Sequence, residues 1–152
     1  MSLIKKRMNK TNIVKVKETF VRRNKGYMPI VLYCVQSIAN FFYLNIKMDE
    51  LYKILPNKNN GSTSFSEVVD IFKYLGLEAK GYKVKSICDL TKINTPNIIL
   101  VNTENGTNDF AIYYGYYDKK YLIGDPSWGL NLYSFFEFDA LWESKVVLEI
   151  NV

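Results

Sequence analysis

At 152 residues, with 48% hydrophobic and 15% aromatic content, the chain is long enough for one domain with a sizeable core and too apolar to stay disordered. It has no uninterrupted apolar run of about 18 residues and begins basic and polar, so neither a membrane span nor a secretory signal is expected, and this segment reads as soluble and cytoplasmic. The formal charge of +5 is concentrated in Lys5, Lys6, Arg7, Lys10, Lys15, Lys17, Arg22, Arg23 and Lys25; no nucleic-acid module follows, so this start reads as a solvated arm or a surface facing anionic lipid, and nucleic-acid binding is not expected.

Residues 1–19 are read as that basic arm, in which Met1-Ser2-Leu3 fits native chain or an added remnant, and residues 20–152 as the domain. After Pro29, "IVLYCVQSIANFFY" is apolar on every face except at Gln36, Ser37 and Asn40, the mark of a buried helix, expected over Ile30 to Leu44. A short helix is expected at Asp49 to Leu55, stopped by Pro56, and a loop at Asn57 to Thr63. "SFSEVVDIFKYLG" opens with Ser64 and Glu67 in capping-box spacing, carries apolar residues at helical period and ends at Gly76. Ser86 and Asp89 repeat that start for a helix reaching Ile93.

From Asn97 the period changes to that of strands: Asn97 to Val101, Asp109 to Tyr117, Lys120 to Gly124 and Lys145 to Ile150, with Asp118-Lys119-Lys120 as a hairpin turn. Helices first and a mostly antiparallel sheet afterwards predict an α+β domain. Cys34 and Cys88 lie in apolar or helical stretches and are expected to be reduced core thiols. "DPSWG" at Asp125 to Gly129 reads as a turn in which the carboxylate caps following amides and Gly129 takes a left-handed conformation.

A buried helix beginning near residue 30, followed by a sheet with Asp109 heading one strand and Asp125-Pro126 closing another, has the order of a papain-like cysteine peptidase. Four segments carry a more specific resemblance: "FVRRNKGYMPIVLYCVQSIANFF", "GSTSFSEVVDIFKYLGLEAKGYKV", "NDFAIYYGYYDKKYLIGDPSWG" and "FFEFDALWESKVVLEI". Together they resemble the N-terminal cysteine-peptidase domains of bacterial exporters that process double-glycine leader peptides, peptidase family 39 of the papain-like clan.

The resemblance implies a papain-like fold and places the nucleophile position on Ile30, the base position on Asp109, the orienting acid on Asp125 and the oxyanion position on Asn24. Isoleucine has no nucleophilic atom, and the chain contains no histidine. Cys34, one helical turn on, is expected to face the core with its thiol protonated. The expected function is therefore a non-cleaving, peptidase-like domain that docks a leader or export-substrate peptide for an attached transporter, using Asn24, Ile30, Asp109, Asp125 and Trp128. Tyr113, Tyr114, Tyr116 and Tyr117 are read as core and cross-strand packing with groove contact as the alternative. The two other functions weighed are an active leader peptidase with a non-standard nucleophile and a regulatory module that contacts only its own transporter. The chain has neither a phosphate-binding Gly-Lys-Ser/Thr loop nor a metal-ligand cluster, so no cofactor is expected in this domain. ATP and Mg, the transmembrane and ATPase partners, and a location at the inner face of the plasma membrane are implied only through the attached transporter.

Overall fold

A computed structural model describes residues 10–23, 28–55, 63–103 and 105–152. Among the described residues six helices and six strands follow in the order α1 (Lys10–Thr19), α2 (Ile30–Phe41), α3 (Met48–Ile54), α4 (Phe65–Tyr74), β1 (Glu78–Lys83), α5 (Ile87–Leu90), β2 (Asn97–Asn102), β3 (Asn108–Tyr117), β4 (Lys120–Asp125), β5 (Gly129–Tyr133), α6 (Phe135–Leu141) and β6 (Val146–Asn151). The strands form one antiparallel sheet in the order β1-β6-β2-β3-β4-β5. This is the expected α+β arrangement, with both faces of the sheet covered.

Strand alternation divides the core into two layers. Ile98, Ile112 and Leu148 point to the face packed by α1 to α4, where Val16, Leu32, Leu51 and Phe72 meet them. Their neighbours Ile99, Ala111 and Val147 point to the opposite face, against Ile87 and Leu90 of α5, Phe138 of α6 and Trp142, which caps that helix. On that second face Tyr113, Phe138 and Trp142 form a ring stack with centroids 5.8 and 5.6 Å apart, and Trp142 Nε1 donates to the Val146 carbonyl at 3.1 Å.

The three polar residues of α2 each tie it to a neighbour. Ser37 Oγ donates to the Tyr33 carbonyl at 2.7 Å and accepts the Val21 amide at 2.8 Å, Asn40 Nδ2 donates to the Thr19 carbonyl, and Gln36 Nε2 donates to the Ile46 carbonyl. Buried or partly buried polar groups satisfied in this way cost little and fix the helix's neighbours. The segment Phe20 to Arg23 becomes a strap along α2, with the Arg23 amide donating to the Pro126 carbonyl at 2.8 Å.

Several elements differ from their sequence-based expectation. Helix α2 stops at Phe41 rather than Leu44 because Tyr43 adopts φ +60°, and the Leu44 and Tyr43 amides return to the Ala39 and Asn40 carbonyls at 2.8 and 3.0 Å. That is a Schellman stop with tyrosine at the usual glycine position. Helix α3 lies one residue earlier than expected. The helix expected to reach Ile93 is a single turn, α5, in which Asp89 accepts from the Lys85 amide and the Ser86 hydroxyl without a reciprocal cap from Ser86. Because only Ile87 and Leu90 of that turn face the core, Cys88 is exposed; the expectation of a core thiol holds for Cys34 alone.

The capping box of Ser64 and Glu67 is formed, and Asp118 and Lys119, at φ +49° and +63°, make the two-residue hairpin between β3 and β4. The loop expected at Asn57 to Thr63 lies outside the described residues except for Thr63. Part of the stretch read as a basic arm is helix α1, anchored by the fully buried Val16. Among the described residues no helix is long and apolar enough to cross a membrane.

Candidate functional site

Pro29 caps α2 with φ −56° and no side-chain acceptor, and Ile30 is the first helical residue. Ile30 lines a cavity of about 590 Å³ together with Arg23, Tyr52, Phe65, Asp109 and Phe110. The Phe65 and Phe110 rings meet edge to face at 5.6 Å on its wall. Asp109 also borders a second cavity of about 470 Å³, lined by Asp125, Trp128, Tyr133 and Ile123. Asp109, near the start of β3, therefore stands between one cavity at the α2 N-terminus and another at the end of β4, both lined by apolar and polar side chains.

The corner after β4 folds as its composition dictates. The Ser127 amide donates to Asp125 Oδ1 at 2.8 Å, the Trp128 amide donates to the Asp125 carbonyl at 3.1 Å, and Gly129 takes φ +92°. Proline fixes the first turn residue and glycine takes the conformation that a side chain resists. The Arg22 guanidinium donates to the Ser127 carbonyl at 3.4 Å, so the strap and the corner brace one another. Trp128 projects from this corner with 68% of its surface exposed.

The electrostatics follow from two half-buried carboxylates. Burial raises the Asp109 pKa and the negative charge of Asp125 adds to it, while the Phe110 amide, 2.8 Å from Oδ1, and the Arg23 charge oppose the rise. Burial likewise raises Asp125 against the pull of the Ser127 and Trp128 amides. Cys34 is fully buried in the helical core, and its thiol pKa is pushed well up by burial and then by the charges of Asp125 and Asp109. A thiol held neutral in this way, and facing neither cavity, has no thiolate to offer.

Neither cysteine lines the two cavities. Ile30, Asp109, Asp125 and Trp128 surround them, whereas Asn24 lies outside the described residues. Tyr113 and Tyr114 are buried on opposite faces of the sheet, and Tyr116 packs on Tyr121 at 5.2 Å; none of the four tyrosines of β3 borders either cavity. Sequence reasoning did not single out Arg23, Tyr52 or Tyr133 as cavity residues. Arg23 stood in the basic run and carried no sign that the strap would lead it to Asp109.

The family profile described as the peptidase C39 family matches residues 21–151. The chain belongs to the peptidase C39 family. Its fold is similar to solved members and relatives of that family at low sequence identity. A double glycine motif protease from an AMS/PCAT transporter, solved in complex with the leader peptide, shares 20% identity over 86% of this chain and 89% of that one, with a TM-score of 0.73. The peptidase domain of Streptococcus ComA, a bifunctional ABC transporter involved in quorum sensing, shares 18% over 88% of this chain and 98% of that one, with a TM-score of 0.74. The N-terminal peptidase C39-like domain of the toxin secretion ATP-binding protein from Vibrio parahaemolyticus shares 13% over 83% and 98%, with a TM-score of 0.64. Comparison with curated proteins gave no match. Within a C39 fold, this chain opens its central helix on Ile30 rather than on a thiol and has no imidazole to set opposite it.

Proposed function

We propose that this C39 domain docks a leader or export-substrate peptide without cleaving it, as the peptide-recognition domain of an ABC exporter. One observation carries the reading: Ile30 opens α2 at a cavity shared with Asp109, while Cys34 is sealed in the core. Thiol-dependent proteolysis needs a thiolate and a base within hydrogen-bond reach of it, and neither exists in that cavity. Docking requires only apolar pockets and polar groups that orient a chain, and these persist beside Ile30, Asp109, Asp125 and Trp128.

Leader-peptide recognition is supported by the family and by the related protease solved with its leader peptide. Transmembrane and ATPase partners, and a place at the inner face of the membrane, are part of the same reading and are supported by the likeness to exporter domains. ATP and Mg would serve those partner domains.

The reading is tested by NMR titration of the isotopically labelled chain with a synthetic leader peptide ending in Gly-Gly. Docking predicts shifts clustered on Ile30, Asp109, Asp125 and Trp128. Absence of shifts at about millimolar peptide, the weak end of specific affinity, would contradict docking and favour a module that regulates its transporter without touching substrate.

A further inference from the structure

The charge of this protein is divided along the chain. Nine Lys and Arg among the first 25 residues face one acidic residue, Glu18, giving that stretch +8, while the remainder carries −3. Helix α1 gives part of that stretch a defined surface: Val16 is buried against the core, and Val14 and Lys17 are exposed on the outer side. Lys15 leans along the protein, its Nζ 3.9 Å from the centre of the Phe41 ring and 4.5 Å from that of Tyr43. Val14, Lys15, Glu18, Thr19 and Tyr43 border one shallow depression.

Tyr43 is the unexpected member. It occupies the left-handed position of the α2 stop, at φ +60°, where a side chain crowds its own backbone and glycine or asparagine is usual. It nevertheless leaves 82% of its surface exposed, so burial of its ring does not compensate for the strained backbone. Strain retained at an exposed aromatic residue points to a task at the surface. An amphipathic tyrosine and an exposed valine beside Lys15 and Lys17, with Glu18 the one acidic neighbour, on the end of the chain that carries most of its positive charge, match a lipid interface, where aromatic rings settle at headgroup level and lysines meet anionic headgroups.

We propose that the outer side of α1, together with Tyr43, docks the protein on an anionic phospholipid membrane. The surface is separate from the two cavities of the peptide site, and the substitutions that test it leave those cavities unaltered.

The test is flotation of the full chain with phosphatidylcholine vesicles containing about 30% phosphatidylglycerol, alongside neutral vesicles. The chain should float with the anionic vesicles at about 50 mM salt and be released at about 500 mM, because screening shortens the reach of surface charge. Lys17→Gln should weaken partition about fivefold. Tyr43→Gly should weaken it as well while leaving the melting temperature unchanged or higher, since glycine relieves the left-handed strain. Equal partition onto neutral vesicles, or unchanged partition of both variants, would overturn the proposal. Tighter binding to duplex DNA than to the anionic vesicles at the same salt would also overturn it, by making the patch a general polyanion surface.

Discussion

A methyl group added at Gly124 would meet Phe20 Cε1 and Tyr114 Cε2 at 2.8 Å, with Phe20 Cδ1 at 3.0 Å. The two rings pack edge to face at 6.3 Å. Tyr114 is buried in the sheet, and Phe20 is held by the strap through the Val21 amide bond to Ser37. Gly124→Ala is thus overpacking, with an expected cost of about 1–3 kcal/mol. For a domain of this size that lowers Tm by roughly 2–12 °C. Phe20→Leu removes the opposing ring, so the double variant should lose less than the sum of the two single losses, with a coupling of about 1 kcal/mol. Urea denaturation of the four proteins of this cycle measures the coupling. An unchanged stability for Gly124→Ala, or strict additivity in the cycle, would refute the claim that the strap is wedged against β4 next to Asp125.

Three further outcomes are expected. Because the folded pKa of Asp109 is raised, chiefly by burial, its stability contribution is fully present below the unfolded carboxyl value of about 4 and is lost as pH rises through the raised folded value. Asp109→Asn should therefore be more stable than the parent at pH 7, with the gain shrinking toward about pH 3.5; a loss of equal size at both pH values, read by urea titration, would contradict this. Thiol labelling of the native chain should modify Cys88 alone, and both cysteines after denaturation; rapid labelling of Cys34 in the native state would place it outside the core. Asp125→Ala removes the acceptor of the Ser127 amide and should cost about 1 kcal/mol by thermal melting. Asp125→Asn, which keeps an oxygen there, should cost less.

Much of the architecture could be read from local chemistry, because the decisive residues lie close together in the chain. The all-round apolar α2, the capping box at Ser64 and the strands from Asn97 onward each announce themselves within a few residues. Helix α6 carried the same signal, Ser134 and Glu137 in a complete capping box, and could have been found by it. Strand β1, with the charged sequence EAKGYK, has no apolar alternation and is strand only because β6 pairs with it. Helix α1 was hidden by its lysines, since only Ile13 and Val16, with Phe20 just beyond, mark its inner side.

At the site, Ile30, Asp109, Asp125 and Trp128 were accessible through the resemblance, whose order of segments spans most of the chain. The meeting of Arg23 with Asp109 was not. It depends on a backbone bond from Arg23 to Pro126, a contact across about a hundred residues that leaves no periodic trace in the sequence. The depth of Cys34 follows from helical spacing, but its electrostatic setting depends on two aspartates from other elements.

The central claim is that peptide is held here and left whole, and it is tested most directly by mass spectrometry of a Gly-Gly precursor peptide incubated to saturation with the chain. The account predicts a single intact mass, with the bound fraction recovered unchanged. A fragment pair split after the second glycine, in a preparation free of other peptidases, would contradict it and require a nucleophile that neither Ile30 nor Cys34 supplies.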